Sequence, residues 1–273
     1  MAGGTHLRLT RTDWARWYRP MAVGLALTLL GLAAYSLLDT VRVQPTLVAT
    51  DPVNGYLPGA QRWLATGSPY EPYQLTGPWS LDYRAFIHPP AALPLFAAFL
   101  WLPLPLWWAI PIGVTGWCVY RLRPAPWTWP LMAACLVWPR STGSLLAGNS
   151  DLWAMAAVAA GAVYGWPVAL LAVKPTFAPL ALVGVRDRRA WVAGVIGVLA
   201  MLLLLPLWIE WVQVITNNGG LGIGYSLLNV PLVAIGALAW AGSTRRAGAP
   251  GARWSARSRR RTAPGPAASR SAP

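Results

Sequence analysis

Apolar residues run through this chain in long blocks separated by short polar connections. Eight blocks stand out, at 18–41, 89–102, 105–120, 125–138, 150–165, 167–185, 190–209 and 225–242. A helix needs roughly 20 apolar residues to cross a bilayer, so the first block is long enough and several others are short. Prolines fall inside many of them, among them Pro94, Pro111, Pro130 and Pro206. Short, broken helices persist in lipid only where neighbours shield the freed backbone groups. The pattern predicts an all-α polytopic membrane protein, a bundle of about eight transmembrane helices over residues 21–242 that encloses a cavity.

The longest polar connection, 42–88, follows the first block. Within it Tyr56, Ala60, Trp63 and Leu64 recur at i, i+4, i+7 and i+8, the stripe of an amphipathic helix, and Gly67-Ser-Pro-Tyr70 breaks it. Directly after a first span, such a helix is expected to lie flat in the outer interface.

Composition points the same way. Hydrophobic residues make up 56% of the chain and charged ones 11%, against about 25% charged in soluble domains, and the mean hydropathy is +0.44. Eighteen tryptophans fit aromatic belts at membrane interfaces. Met21–Leu38 is long enough to read as a retained anchor rather than a cleaved signal. A net charge of +14 raises the possibility of nucleic acid, but its distribution argues against that partner. Four arginines lie before or at the start of the first block (Arg8, Arg11, Arg16 and Arg19) and eight follow the last, which fits membrane topology and anionic lipid.

The charge bias predicts a multi-pass plasma-membrane protein with both termini cytoplasmic. Residues 1–20 then form a basic cytoplasmic segment and 42–88 the first extracytoplasmic loop. The side of Arg121 and Arg123 stays undecided by charge. The tail 243–273 is built almost wholly from Arg, Ala, Gly, Pro and Ser and reads as disordered. It fits either a polybasic lipid-binding tail or the frame-shifted end of a GC-rich gene.

The chemistry-bearing candidates are few. Lys174 is the only lysine, set in an apolar run and followed by Pro175, which biases it away from helical geometry. A charge at membrane depth costs about 2.5–3.5 kcal/mol unless it faces water or an anion. Two readings are open: a lysine snorkelling to the interface, or a cation awaiting a lipid-linked phosphate. Asp51, just before Pro52, suits a turn or cap as well as a cavity wall. Asn149 and Asp151 follow Gly148 in a good N-cap sequence. Asp82 and Glu71 are further carboxylates of the same loop. Cys118 and Cys135 lack metal-ligand or framework spacing, and no His/Cys/Asp cluster has the spacing of a metal site.

Taken in order along 20–210, these marks carry a resemblance. An aspartate shortly after the first span, Tyr56, an alanine-bearing amphipathic turn and Gly67-Ser-Pro-Tyr70 resemble the first external loop of polyprenol-phosphate-dependent glycosyltransferases of the GT-C fold. The chain is most similar to glycosyltransferase family 87, the α-(1→2)-mannosyltransferase group. His88-Pro-Pro90, Gly148-Asn-Ser-Asp-Leu152 and Lys174-Pro-Thr176 are similar to further motifs of that family. His88 stands where tyrosine is usual and Asn149 where glutamine is usual, and the chain is shorter than is customary.

The resemblance implies a membrane glycosyltransferase of GT-C-like architecture, with no cofactor and no metal. It would move a hexose, mannose by the match, from a polyprenol-phosphate sugar to an envelope glycolipid or glycan acceptor, with the lipid bilayer as its setting. It implies inversion at the anomeric carbon, with Asp51 as the base and Lys174 and His88 toward the donor phosphate. Tyr56, Asp82, Asn149 and Asp151 are the other candidate substrate contacts. A multi-spanning transporter and an inactive truncated family member are the competing readings.

Overall fold

The computed structural model describes residues 11–82, 84–219 and 223–243, so the expectations for 1–10 and for the tail from 244 onward lie outside the described residues. The architecture is all-α. In chain order the helices are α1 (Arg11–Val43), α2 (Leu57–Thr66), α3 (Pro72–Thr76), α4 (Leu93–Ala98), α5 (Leu106–Leu122), α6 (Thr128–Val137) and α7 (Pro139–Ala147). There follow α8 (Asp151–Tyr164), α9 (Arg188–Leu202), α10 (Leu205–Asn217) and α11 (Val230–Ala241).

Helix α8 is the axis. It is rich in alanine, and Asp151, Leu152 and the run Ala154–Gly161 are buried. Side chains this small let neighbours approach closely, and α5, α11 and two 3₁₀ segments, Trp166–Val173 and Pro175–Gly184, pack around it. Lys174 breaks those two segments apart. Its backbone is non-helical, at φ −145° and ψ 81°, as a following proline disfavours the helical region.

A second core, aromatic rather than aliphatic, lies under the 51–88 loop. Tyr56 stacks on Phe96 with ring centroids 4.5 Å apart, and Trp107 meets both rings at 5.5 and 5.7 Å. The amphipathic stripe read from the sequence does form α2, but its partner differs from the one expected. Tyr56 and Ala60 are buried against this aromatic core, and the helix packs on α4. Protein covers the Tyr56 and Ala60 part of the face that was expected to meet lipid, while Leu64 stays exposed.

The eight-span bundle is overturned. Among the described residues one helix is long and apolar enough to cross a membrane, the 27-residue stretch Trp17–Val43 of α1, with mean hydropathy 2.0. A second exists only if α9 and α10 are counted as one span, and they bend by 85° at their junction. The blocks at 89–102, 105–120, 125–138, 150–165, 167–185 and 225–242 yield helices too short to pass the same test. The multi-pass plasma-membrane assignment, with its inside and outside loops, falls with them. The physical reason is that apolar composition reports burial but not its medium. In α8 it is spent on neighbouring helices, whereas only 17% of the apolar window of α1 is buried. A line of small residues, Ala22, Ala26 and Ala33, is buried on α1, which lies along α6.

One close approach in the aromatic core is testable. A Cβ on Gly59 would sit 2.1 Å from Phe86 Cδ2, nearer than van der Waals contact permits. Gly59→Ala must displace the Phe86 ring and is expected to cost about 1–3 kcal/mol. Gly113→Ala, at a position with no atom near the added methyl, serves as the control. Thermal melts of the two variants should separate, with only Gly59→Ala lowered.

Candidate functional site

Three elements that are far apart in sequence converge where α1 ends. The chain leaves α1 and Ala49 takes a left-handed conformation, φ 65°, which costs a side-chain-bearing residue about 1–2 kcal/mol. Its N–H donates to the Leu146 carbonyl at 2.9 Å, fastening the loop to α7. Asp51 to Tyr56 then form one wider helical turn with i→i+5 geometry, of a kind often found at functional sites. Five residues apart, the two side chains meet, and the Tyr56 hydroxyl donates to Asp51 Oδ2 at 3.1 Å.

The second element is the turn between α7 and α8. Two adjacent tryptophans of α5 clamp it: Trp107 Nε1 donates to the Gly148 carbonyl and Trp108 Nε1 to the Leu145 carbonyl, each at 2.6 Å. Gly148 has φ 71°, and a Cβ there would lie 2.7 Å from Trp108 and 3.0 Å from Pro52. Only glycine meets both demands, so the residue after it is held against the Asp51 turn. Asn149 Nδ2 donates to Asp51 Oδ2 at 2.7 Å, and the Tyr56 hydroxyl accepts from the Ser150 N–H at 3.2 Å.

Lys174 supplies the third element from the break between the 3₁₀ segments. Its ammonium donates to Asn149 Oδ1 at 2.8 Å and forms a buried ion pair with Asp151, the side chains being 3% and 0% exposed. The other Asp151 oxygen accepts from Asn229 Nδ2 at 2.6 Å and from Ser144 Oγ at 3.2 Å. The charged groups of this cluster are therefore hydrogen-bonded, which a buried charge requires.

Asp51, Tyr56, Asp82, His88 and Asn149 line one cavity of about 280 Å³, near the lower end of ligand-pocket sizes. Lys174 and Asp151 stand behind that wall and do not line it. Asp82 is exposed at its edge, and Glu71 is occupied elsewhere, paired with Arg62. A larger cavity of about 880 Å³ lies between the first 3₁₀ segment and α9, with Asp187, Arg188 and Arg189 among otherwise mainly apolar lining residues. The acid, hydroxyl, imidazole and amide groups converge in the smaller one, which is the better candidate for chemistry.

His88 ends an extended stretch whose carbonyls have no helix or sheet to join. Side chains take that role: Gln74 Nε2 donates to Phe86 O at 3.1 Å, Trp211 Nε1 to Ile87 O at 3.0 Å, and the Tyr70 hydroxyl to His88 O at 2.8 Å. The imidazole itself packs edge-on against Tyr56 and Phe96. Burial, with Lys174 nearby, pushes its pKa down to about 3. Burial also raises Asp51 above the ordinary carboxylate value; the hydrogen bonds from Asn149 and Tyr56 and the charge of Lys174 oppose that rise in part.

Asn229, Ser144, Trp107 and Trp108 were not singled out from the sequence. Asn229, before the Val-Pro that opens α11, carried a helix-start signal; the tryptophans were absorbed into the expectation of an aromatic belt. No group of three His, Cys, Asp or Glu side chains suited to a metal ion occurs among the described residues. No protein-family model matches the chain, and neither a curated protein nor a solved structure matches it.

The neutral His88 ring makes stability depend on pH. The unfolded chain takes up a proton near 6.5, whereas the folded ring resists until about 3. This contribution is complete above 6.5 and is lost as pH falls through that window. Denaturant midpoints measured at about pH 7.5 and about pH 5 should drop more in the parent than in His88→Gln, which has no titrating ring.

Proposed function

We propose that this chain is a glycosyltransferase in which Asp51 is the general base. It takes the proton of an acceptor hydroxyl while that oxygen attacks the anomeric carbon of a polyprenyl-phosphate sugar. The bond from that carbon to the phosphate oxygen breaks on the opposite face, and polyprenyl phosphate departs with the electron pair. A hexose, mannose by the family resemblance, moves to a glycolipid or glycan acceptor with inversion.

The observation that carries the reading is the convergence at one cavity. Asp51, Tyr56, His88 and Asn149 come from separate motifs of the resemblance and line a common wall. Asp51 is partly buried, and its two hydrogen bonds fall on Oδ2. Oδ1 is thus the oxygen with capacity for an acceptor proton. A carboxylate pKa raised by burial makes it a stronger base than an exposed aspartate. Phosphate needs no strong general acid to leave, only cationic stabilisation. Lys174 contributes to that through its field, since its ammonium is engaged by Asp151 and Asn149. Arg84, exposed and adjacent in chain to Ala85 of the cavity wall, is the external cation this reading assigns to the phosphate.

The apolar helix α1 offers a means of staying near a lipid-borne donor. Asp51→Asn keeps the shape and removes the basicity. Transfer of labelled mannose from polyprenyl-phosphate mannose, in membranes carrying the protein, should fall by about 10²–10⁴-fold. Near-parental transfer by Asp51→Asn would reject the assignment.

A further inference from the structure

Lys174, Asp151 and Asn149 form a polar chain that runs from behind the cavity to its wall, and the transfer step above gives its hydrogen bonds no role. Asn149 is its link. Its Oδ1 accepts from the Lys174 ammonium at 2.8 Å and from the Asp151 backbone N–H at 3.1 Å. Two donors at one end of the amide leave its orientation without an alternative, because reversing it would place an NH₂ group against an ammonium. Nδ2 is thereby turned outward, onto Asp51 Oδ2 at 2.7 Å.

We propose that Asn149 is a positioning residue for Asp51, its amide locked by the Lys174–Asp151 ion pair so that the aspartate is held through one oxygen and works through the other. The inference rests on the general-base reading of Asp51 for its catalytic consequence, though not for its geometry. It gives the only lysine of the chain a role other than phosphate binding: Lys174 sets the orientation of the amide, and Asp151, held by Asn229 and Ser144, sets the position of Lys174. The charged and titratable groups around Asp51 are Tyr56 on its own turn, Lys174 and Asp151 behind Asn149, and His88 and Asp82 on the cavity wall.

The signs of the expected changes follow from the contacts. Asn149→Asp is isosteric, removes the donor to Asp51 and adds a like charge, so it must raise the midpoint at which Asp51 takes up a proton. Lys174→Met with Asp151→Leu removes both charges together, which avoids leaving either one buried alone. Lys174 lowers Asp51 more than Asp151 raises it, so this pair of changes also moves the midpoint up.

The test titrates Asp51 in the purified full chain through its infrared carboxyl band, assigned by difference against Asp51→Asn. The expected result is an upward midpoint in Asn149→Asp and in the Lys174→Met, Asp151→Leu variant. For labelled mannose transfer, Asn149→Asp should lower kcat by about 10²-fold with the acid limb displaced upward and KM for the donor little changed. An unmoved or lowered midpoint in either variant overturns the positioning role. The titration needs no substrate. Shifted midpoints without mannose transfer in the parent would uphold the positioning geometry and reject the transferase reading.

Discussion

The ion pair of Lys174 with Asp151 is the constraint around which the site is assembled. Both side chains are withdrawn from water, so each requires the other. Removing one partner of such a pair costs about 3–5 kcal/mol, because a buried charge is left uncompensated. To satisfy it the fold brings together the break between two 3₁₀ segments, the first turn of α8, Ser144 of α7 and Asn229 ahead of α11. Asp151 also stands at the amino end of α8, where a negative charge is favoured by the helix dipole. Pro175 makes the arrangement possible by keeping Lys174 non-helical, off either helical axis.

What the pair fixes on one side, the aromatic core fixes on the other. Tyr56 reaches Asp51 and Ser150 with its hydroxyl and Phe96 with its ring face, so one side chain joins the polar cluster to the apolar one. The extended stretch 86–88 has no backbone partners of its own. Three side-chain donors hold it, from α3, α10 and the bend between α2 and α3, and a buried carbonyl left without a donor would cost about 1–3 kcal/mol. The strained Ala49 is tolerated for a similar reason: its N–H is committed to α7, and the conformation aims the following turn into the cavity. Asp51 therefore sits in a setting over-determined from several directions, which preorganised chemistry requires.

The misreading of the fold has a definite cause. A block such as 150–165 is as apolar as a membrane span, and its alanine-rich content with a tryptophan fits either environment. Length separates the two cases, and length was blurred by apolar connections that run on past the helix ends. Helix α8 covers 14 residues and is wrapped by its neighbours, whereas the 27 residues of Trp17–Val43 are largely bare. The same ambiguity affected α2, whose stripe was legible residue by residue while the partner of that stripe was not.

By itself the sequence determined where most of the apolar helices and α2 form, though not α3 or α7, because apolar periodicity and proline placement act over a few residues. It determined the backbone break at Lys174, which is local sterics with Pro175. It also singled out Asp51, Tyr56, His88, Asn149, Asp151 and Lys174, since polar groups are scarce in so apolar a chain. Only the tertiary structure decided that Lys174 pairs with Asp151 across 23 residues and that Asn149 meets Asp51 across 98. Nothing local records such pairings. They depend on which helices pack on α8, and that choice is made by the summed burial of many apolar side chains, most of which are interchangeable in sequence but not in shape.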